Sequence, residues 1–433
     1  MAAVTCLQKI LFGPPGCGKS FRVRKIAEEE LGITVPGPRL IETTFHPEYG
    51  YGDFLAKLLP QTSKYQQKYL LSAAGPIPAT TIQEEVERSS IEYNIHTGPL
   101  LKALALAYAD PGKNVLLVID EINRGNCAQI FGDIFQLLDR NDSGRSEYGV
   151  ELCQLFHGAL QNELQRQGAP ASACPAQKLY LPPNLSLIGT MNTSDESVYY
   201  MDSAFKRRWD FAFMPWSGQP GGVLHERQRS LTVEGVDGDW ISVLTRLNDY
   251  IAGSFRGRNI DDKQIGLWFV KVPLTAPEKL GAALEALKVK LAPLVGKSGH
   301  GEWVKIFPKA ESYGFGENLL TVSAKADFEA FGAGWPADVN PYQPELLAAK
   351  LIEHIDAFLD VPAPRITLET IRNKLMFFLW DNVFSRDRSP LFALLRLGGM
   401  AGGDPRTFGE FATPEHAAML LAGLLAPAET ASA

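Results

Sequence analysis

The chain has 433 residues, 45% hydrophobic and 21% charged, a globular composition that excludes a disordered or collagen-like polymer. At the usual ~100–200 residues per domain it should hold two or three units. Its 42 basic and 49 acidic residues leave a net charge of −7, so any contact with nucleic acid has to be local.

In chain order, Leu7–Phe12 reads as a short strand and Ser20–Leu31 as a helix. Between them runs Gly13-Pro14-Pro15-Gly16-Cys17-Gly18-Lys19-Ser20, which matches G-x-x-x-x-G-K-[ST]. The flanks are those a phosphate loop needs, a strand before and a helix after. Glycines let backbone N–H groups face the phosphates. Lys19 is expected at the β/γ-phosphates and Ser20 on Mg²⁺. A second GKS, at Gly296-Lys297-Ser298, has Leu291 where the first glycine is required and is rejected.

Arg39–Phe45 is a second predicted strand. Residues 49–98, with Pro60, Pro76 and Pro78, read as an insertion. Val115–Ile119 is wholly apolar, as a strand covered on both faces should be. It ends in Asp120-Glu121. A carboxylate there can hold the Mg²⁺ shell and its neighbour can activate water, so Asp120 is the metal candidate and Glu121 the base. Ala128–Asp139 carries a helical apolar stripe, and 143–183 reads as a second insertion. Leu185–Thr190 is a further strand, with Asn192 at its end placed to bridge the γ-phosphate and the water. Lys206-Arg207-Arg208 follows a short predicted helix.

Alternating strands and helices predict a doubly wound α/β domain over 1–215. Beyond a break near 215–222 the pattern turns helical, over Trp240–Ala252, Ala276–Leu291, Pro344–Leu359 and Leu368–Phe384. That gives a helical lid domain over 216–398 and a Gly/Ala-rich tail over 399–433, with one short helix at His416–Leu425. The segment 254–309 has a local excess of Lys and Arg that reads as a solvated helical face or a docking surface. The five cysteines lack CxxC spacing and the seven histidines lack HExxH, so neither a disulfide framework nor a zinc site is expected. With no apolar leader and no run near ~18 apolar residues, no membrane span is expected and a cytoplasmic location is.

Four blocks together resemble a known family: the phosphate loop, FHPEYGYGDF at 45–54, IDEINRGNCAQIFGDIFQLLD at 119–139 and PPNLSLIGTMNTSDESVYYMDSAFKRRWDF at 182–211. They are similar to the AAA+ motor subunit of McrBC-type, modification-dependent restriction systems, McrB-like. The resemblance implies an AAA+ domain with a helical lid. It also implies GTP or ATP hydrolysis with Mg²⁺, a homo-oligomer (a hexamer), a McrC-like nuclease partner, and DNA engaged through the complex in defence against phage. It makes Arg207 and Arg208 candidates for a finger acting on a neighbour's nucleotide. A MoxR-like remodeller of protein complexes and a slow nucleotide-switch scaffold are the alternatives.

Three departures stand out. The family's base-reading domain commonly precedes the motor, whereas here the first strand starts near residue 7, so target recognition is expected elsewhere. After GTMNT the family has A-D-R-S; here Ser194-Asp195-Glu196-Ser197 follows. In the lid, the family's Q-I-G-H-S-Y-F reads Gln264-Ile265-Gly266-Leu267-Trp268-Phe269, without the His and Ser. Arg124 and Asp195 flank the catalytic blocks as organisers or interface contacts.

Overall fold

The computed structural model describes residues 4–71, 82–192, 199–218, 222–255, 260–261, 263–296 and 344–426. Contacts divide the chain into two compact units, Met1–Gly221 with Leu247–Phe269, and Gly222–Arg246 with Val270–Ala433.

The first unit is built on a five-stranded parallel sheet. Its strands are β1 (Gln8–Gly13), β2 (Leu40–Thr44), β5 (Val115–Asp120), β8 (Leu185–Asn192) and β9 (Asp210–Phe213), in the order β2-β5-β8-β1-β9. Alternation along the strands feeds two cores. Val115, Leu117 and Ile119 join Ile10, Leu185 and Leu187 on one face, while Leu116 and Val118 join Leu11 and Ile188 on the other. This is why VLLVI carries no polar residue: both of its faces are covered.

Helix α1 (Lys19–Lys25), continuing in wider turns to Glu30, covers the second face through Val23, Ile26 and Ala27. The first face takes three helices: α3 (Pro99–Ala109), α4 (Cys127–Phe131) and α5 (Gln154–Arg166). No amphipathic pattern announces α3. Leu100, Leu101, Ala103, Leu104, Ala105 and Ala107 are all buried, so no polar stripe marks its period.

The segment 49–98, read as an insertion, has a definite form. A short helix α2 (Tyr51–Phe54) leads into an antiparallel hairpin of β3 (Ala56–Leu71) and β4 (Ile82–Thr97). The segment 143–183, also read as an insertion, contributes to the core. Its short strands β6 (Val150–Glu151) and β7 (Lys178–Leu179) pair with each other. Its Val150, Ala159, Leu160, Leu164, Leu179 and Leu181 are buried in the main core. The stripe read as one helix over 128–139 is α4 followed by a tighter 3₁₀ run, Gly132–Leu138, with Gly132 at φ 43° at the change of pitch.

Phe45, Phe54, Phe131 and Phe205 form the aromatic centre of this core, with Phe131 ring centroids 6.3, 5.1 and 5.3 Å from the other three. Phe131→Ala should therefore cost about 3–5 kcal/mol of stability. Urea denaturation measures it; a loss below about 1 kcal/mol would contradict this packing.

The second unit is helical. Ala276–Leu291 starts from a capping box in which Thr275 and Glu278 satisfy each other's backbone N–H groups. Within 399–433, Pro414–Leu425 buries Leu420, Leu421 and Leu424. It crosses Ser389–Leu397 closely because Gly423 and Gly398 stand at the crossing: a Cβ on either would meet a carbonyl oxygen, at 2.2 and 1.8 Å. Among the described residues no helix is long and apolar enough to cross a membrane. Much of the basic 254–309 segment, including everything from 297, lies outside the described residues. Within it, Lys288 pairs with Glu285 and Asp356.

Candidate nucleotide-hydrolysis site

The carboxyl ends of the parallel strands are where an α/β sheet binds ligands, and the expected residues gather there. Gly13 ends β1 and the loop to Ser20 runs into α1. Gly16 and Gly18 have φ of 80° and 94°, the left-handed region that favours glycine. The Lys19 ammonium curls back over the loop, donating to the carbonyls of Gly13 and Pro14 at 3.0 and 3.1 Å. It also donates to Asn192 Oδ1 at 2.7 Å. Ser20 is exposed. Cys17 is buried and its thiol is pushed up by desolvation, against the opposing pull of Lys19, so it stays neutral.

Asn192 is the hub. Its Nδ2 donates to Glu121 Oε1 at 2.6 Å, and its carbonyl accepts from Asn123 Nδ2 at 3.1 Å. The amide can sit only one way round, because a flip would set NH₂ against the ammonium and oxygen against the carboxylate. Lys19, Asn192 and Glu121 are thus joined in one chain from phosphate loop to candidate base.

Glu121 follows β5 in the left-handed region, at φ 51°, the single non-glycine residue with positive φ among those described. Such a conformation costs of order 1–3 kcal/mol and persists where surroundings enforce it. Here it turns the chain out of the sheet and sets the carboxylate onto Asn192. Its other oxygen faces Arg124 Nε at 3.3 Å.

Asp120 ends β5 beside Thr190 of β8, whose hydroxyl donates to Asp120 Oδ1. The donors suit Mg²⁺: a hydroxyl, a carboxylate and the oxygens of a bound triphosphate, all hard. Among the described residues no group of three or more His, Cys, Asp or Glu could hold a metal by itself.

The basic run splits. Arg208 points into its own subunit: it pairs with Asp139, donates to the Ala204 carbonyl at 2.7 Å, and lies 4.2 Å over the Phe135 ring. Arg207 is exposed, with no ion pair among the described residues. Both precede β9, whose Asp210 is level with Lys9 at the start of β1. At ~3.3 Å per residue that is about 13 Å from Gly13, so neither is brought to this subunit's own phosphate loop.

Sequence reasoning missed three supports. Thr190 and Asn123 lie inside two of the resembling blocks, but nothing in their spacing assigns either a role. Asn248 is buried and holds Ile265 by both backbone groups, at 3.0 and 2.8 Å. Residues 264–269, expected in a lid, sit on the phosphate loop and belong to the first unit: Gly266 N–H donates to the Pro15 carbonyl at 2.9 Å and Trp268 N–H to that of Gly16 at 2.7 Å. Asp195 and Glu196 lie outside the described residues.

The AAA domain of the dynein-related subfamily matches residues 8–209. The restriction enzyme BsuMI component YdiS of Bacillus subtilis, a type II system, is 33% identical over 267 residues, covering 61% of this chain and 72% of that protein. This chain belongs to the AAA family of McrB-like restriction subunits. A second member, the type IV methyl-directed EcoKMcrB subunit of Escherichia coli, is 29% identical over 202 residues, 47% of this chain and 34% of its own length. The chain thus spans about a third of that relative. The matched stretch holds four of the five strands of the sheet, the Gly13–Ser20 loop and Asp120-Glu121, and the AAA domain implies nucleotide binding and hydrolysis.

Proposed function

We propose that this McrB-like protein is an Mg²⁺-dependent GTPase or ATPase that assembles into a homo-oligomeric ring, a hexamer, and powers restriction of DNA with a McrC-like nuclease partner. The observation that carries the reading is the chain Lys19–Asn192–Glu121, which ties a phosphate-binding lysine to a base through an amide of fixed orientation. Ser20 and Asp120 would hold Mg²⁺, which when bound neutralises phosphate charge. Gly13–Ser20 would cradle the phosphates, Glu121 would take the proton from the attacking water, and Asn192 would keep that water in line. The likeness to two restriction components favours DNA over the protein-remodelling alternative. Turnover of GTP and of ATP, with and without the product of the adjacent gene and with DNA, tests it. Stimulation by a protein substrate in place of DNA would favour a MoxR-like remodeller.

The finger assignment rests on Arg207. An arginine supplied in trans contributes ~10³–10⁵ in rate. Arg207→Ala should keep the fold and lose turnover on that scale, whereas Arg208→Ala should lower stability by breaking its pair with Asp139. Rings mixing Arg207→Ala with Lys19→Ala subunits should recover activity, because some interfaces pair an intact loop with an intact finger. No recovery in demonstrably mixed rings removes Arg207 from that role.

A further inference from the structure

Phe21 lies two residues beyond Lys19 and is 45% exposed. Beside it stands Trp268, with ring centroids 6.3 Å apart and planes inclined by 33°. The indole lies against the phosphate loop: Cδ1 and Nε1 pass 3.2 and 3.4 Å from the point a Gly18 Cβ would occupy. Backbone contacts fix this position. Besides the two bonds to Pro15 and Gly16, Leu267 N–H donates to the Trp216 carbonyl at 2.8 Å. Gly266 is pressed so close that a Cβ there would meet the Gly16 carbonyl carbon at 2.1 Å. An aromatic shelf thus adjoins the phosphate loop on a rigid support. From Ile265 to Phe269 the side chains carry one polar hydrogen, the indole N–H, so the segment is poor in groups that could read a base edge.

We infer that Trp268, with Phe21, is the stacking platform for the base of the bound nucleotide, and that it reads the base by its π-face. The inference rests on the NTPase reading above. A nucleotide whose phosphates lie along Gly13–Ser20 carries ribose and base out past the loop, where this shelf is the adjoining aromatic surface. Stacking tolerates any base because each has a π-face. The platform therefore favours the larger purines over pyrimidines and separates guanine from adenine only weakly.

The test is calorimetric titration of the full chain, wild type and variants, with GTP, ATP, CTP and inorganic tripolyphosphate, all with Mg²⁺. Trp268→Ala should raise Kd for GTP and ATP about 5- to 150-fold, the range alanine substitution gives for base–aromatic stacking. Tripolyphosphate, which has no base, should bind the variant within about twofold of wild type. Trp268→Phe should recover most of the lost affinity, and wild-type Kd values for GTP and ATP should lie within about tenfold of each other, both below that for CTP. Equal weakening of tripolyphosphate and GTP would make Trp268 a support of the loop and overturn the platform. So would unchanged nucleotide affinity, or a preference for one purine beyond about 100-fold. If wild type binds neither nucleotide nor tripolyphosphate, the NTPase reading itself fails and the platform falls with it.

Discussion

Glu121→Gln should leave nucleotide binding intact and reduce hydrolysis by a factor of at least about 10², the scale on which a positioned general base acts. The substitution keeps size and shape. It removes the proton acceptor and replaces Oε1, which accepts from Asn192 Nδ2 at 2.6 Å, with a group that can be presented as NH₂ or as oxygen. Presented as oxygen, the amide still satisfies Asn192; its NH₂ then opposes Arg124, whose half-exposed side chain can turn to solvent. The fold should therefore hold, and the loss should fall on the chemical step. Single-turnover hydrolysis beside equilibrium binding separates the two. Wild-type hydrolysis by Glu121→Gln would show that the base is another group.

Lys19→Ala should act one step earlier. The ammonium makes bonds to two loop carbonyls and to Asn192. In the proposed mechanism it exchanges these for the β/γ-phosphates, a charge-assisted contact that no other side chain of the loop can supply. Its removal should raise Kd for GTP or ATP by two orders of magnitude or more and abolish turnover. It should also leave Asn192 Oδ1 without its cation, the amide then being oriented by Glu121 alone. Tight nucleotide binding by Lys19→Ala would contradict the phosphate-loop assignment.

Much of this site could be read from the sequence, for identifiable reasons. The phosphate loop and Asp120-Glu121 are contiguous motifs whose chemistry requires particular residues at fixed spacing. The apolar run 115–119 announces a strand buried on both faces. What escaped reading depends on contacts between distant segments. Thr190 matters because β8 lies beside β5, and Trp268 because a segment some 250 residues downstream returns to the loop. Helix α3 has one exposed residue, Lys102, and so no polar stripe to detect. The segment 143–183 reads as an insertion because its polar and proline residues dominate, while a few apolar ones at 159, 160 and 164 reach the core. Arg207 and Arg208 are indistinguishable as letters. Asp139 and the Phe135 ring tell them apart.

If Gly13–Ser20, Asp120, Glu121 and Asn192 form a working hydrolytic site, the purified chain should release phosphate. The most direct measurement is phosphate release from GTP and ATP by the purified chain with Mg²⁺, alone and with the product of the adjacent gene, run beside Glu121→Gln. Release should be Mg²⁺-dependent, occur with at least one nucleotide, and be lost in the variant while binding persists. Binding without release under every one of these conditions, or release equal in wild type and variant, would contradict it.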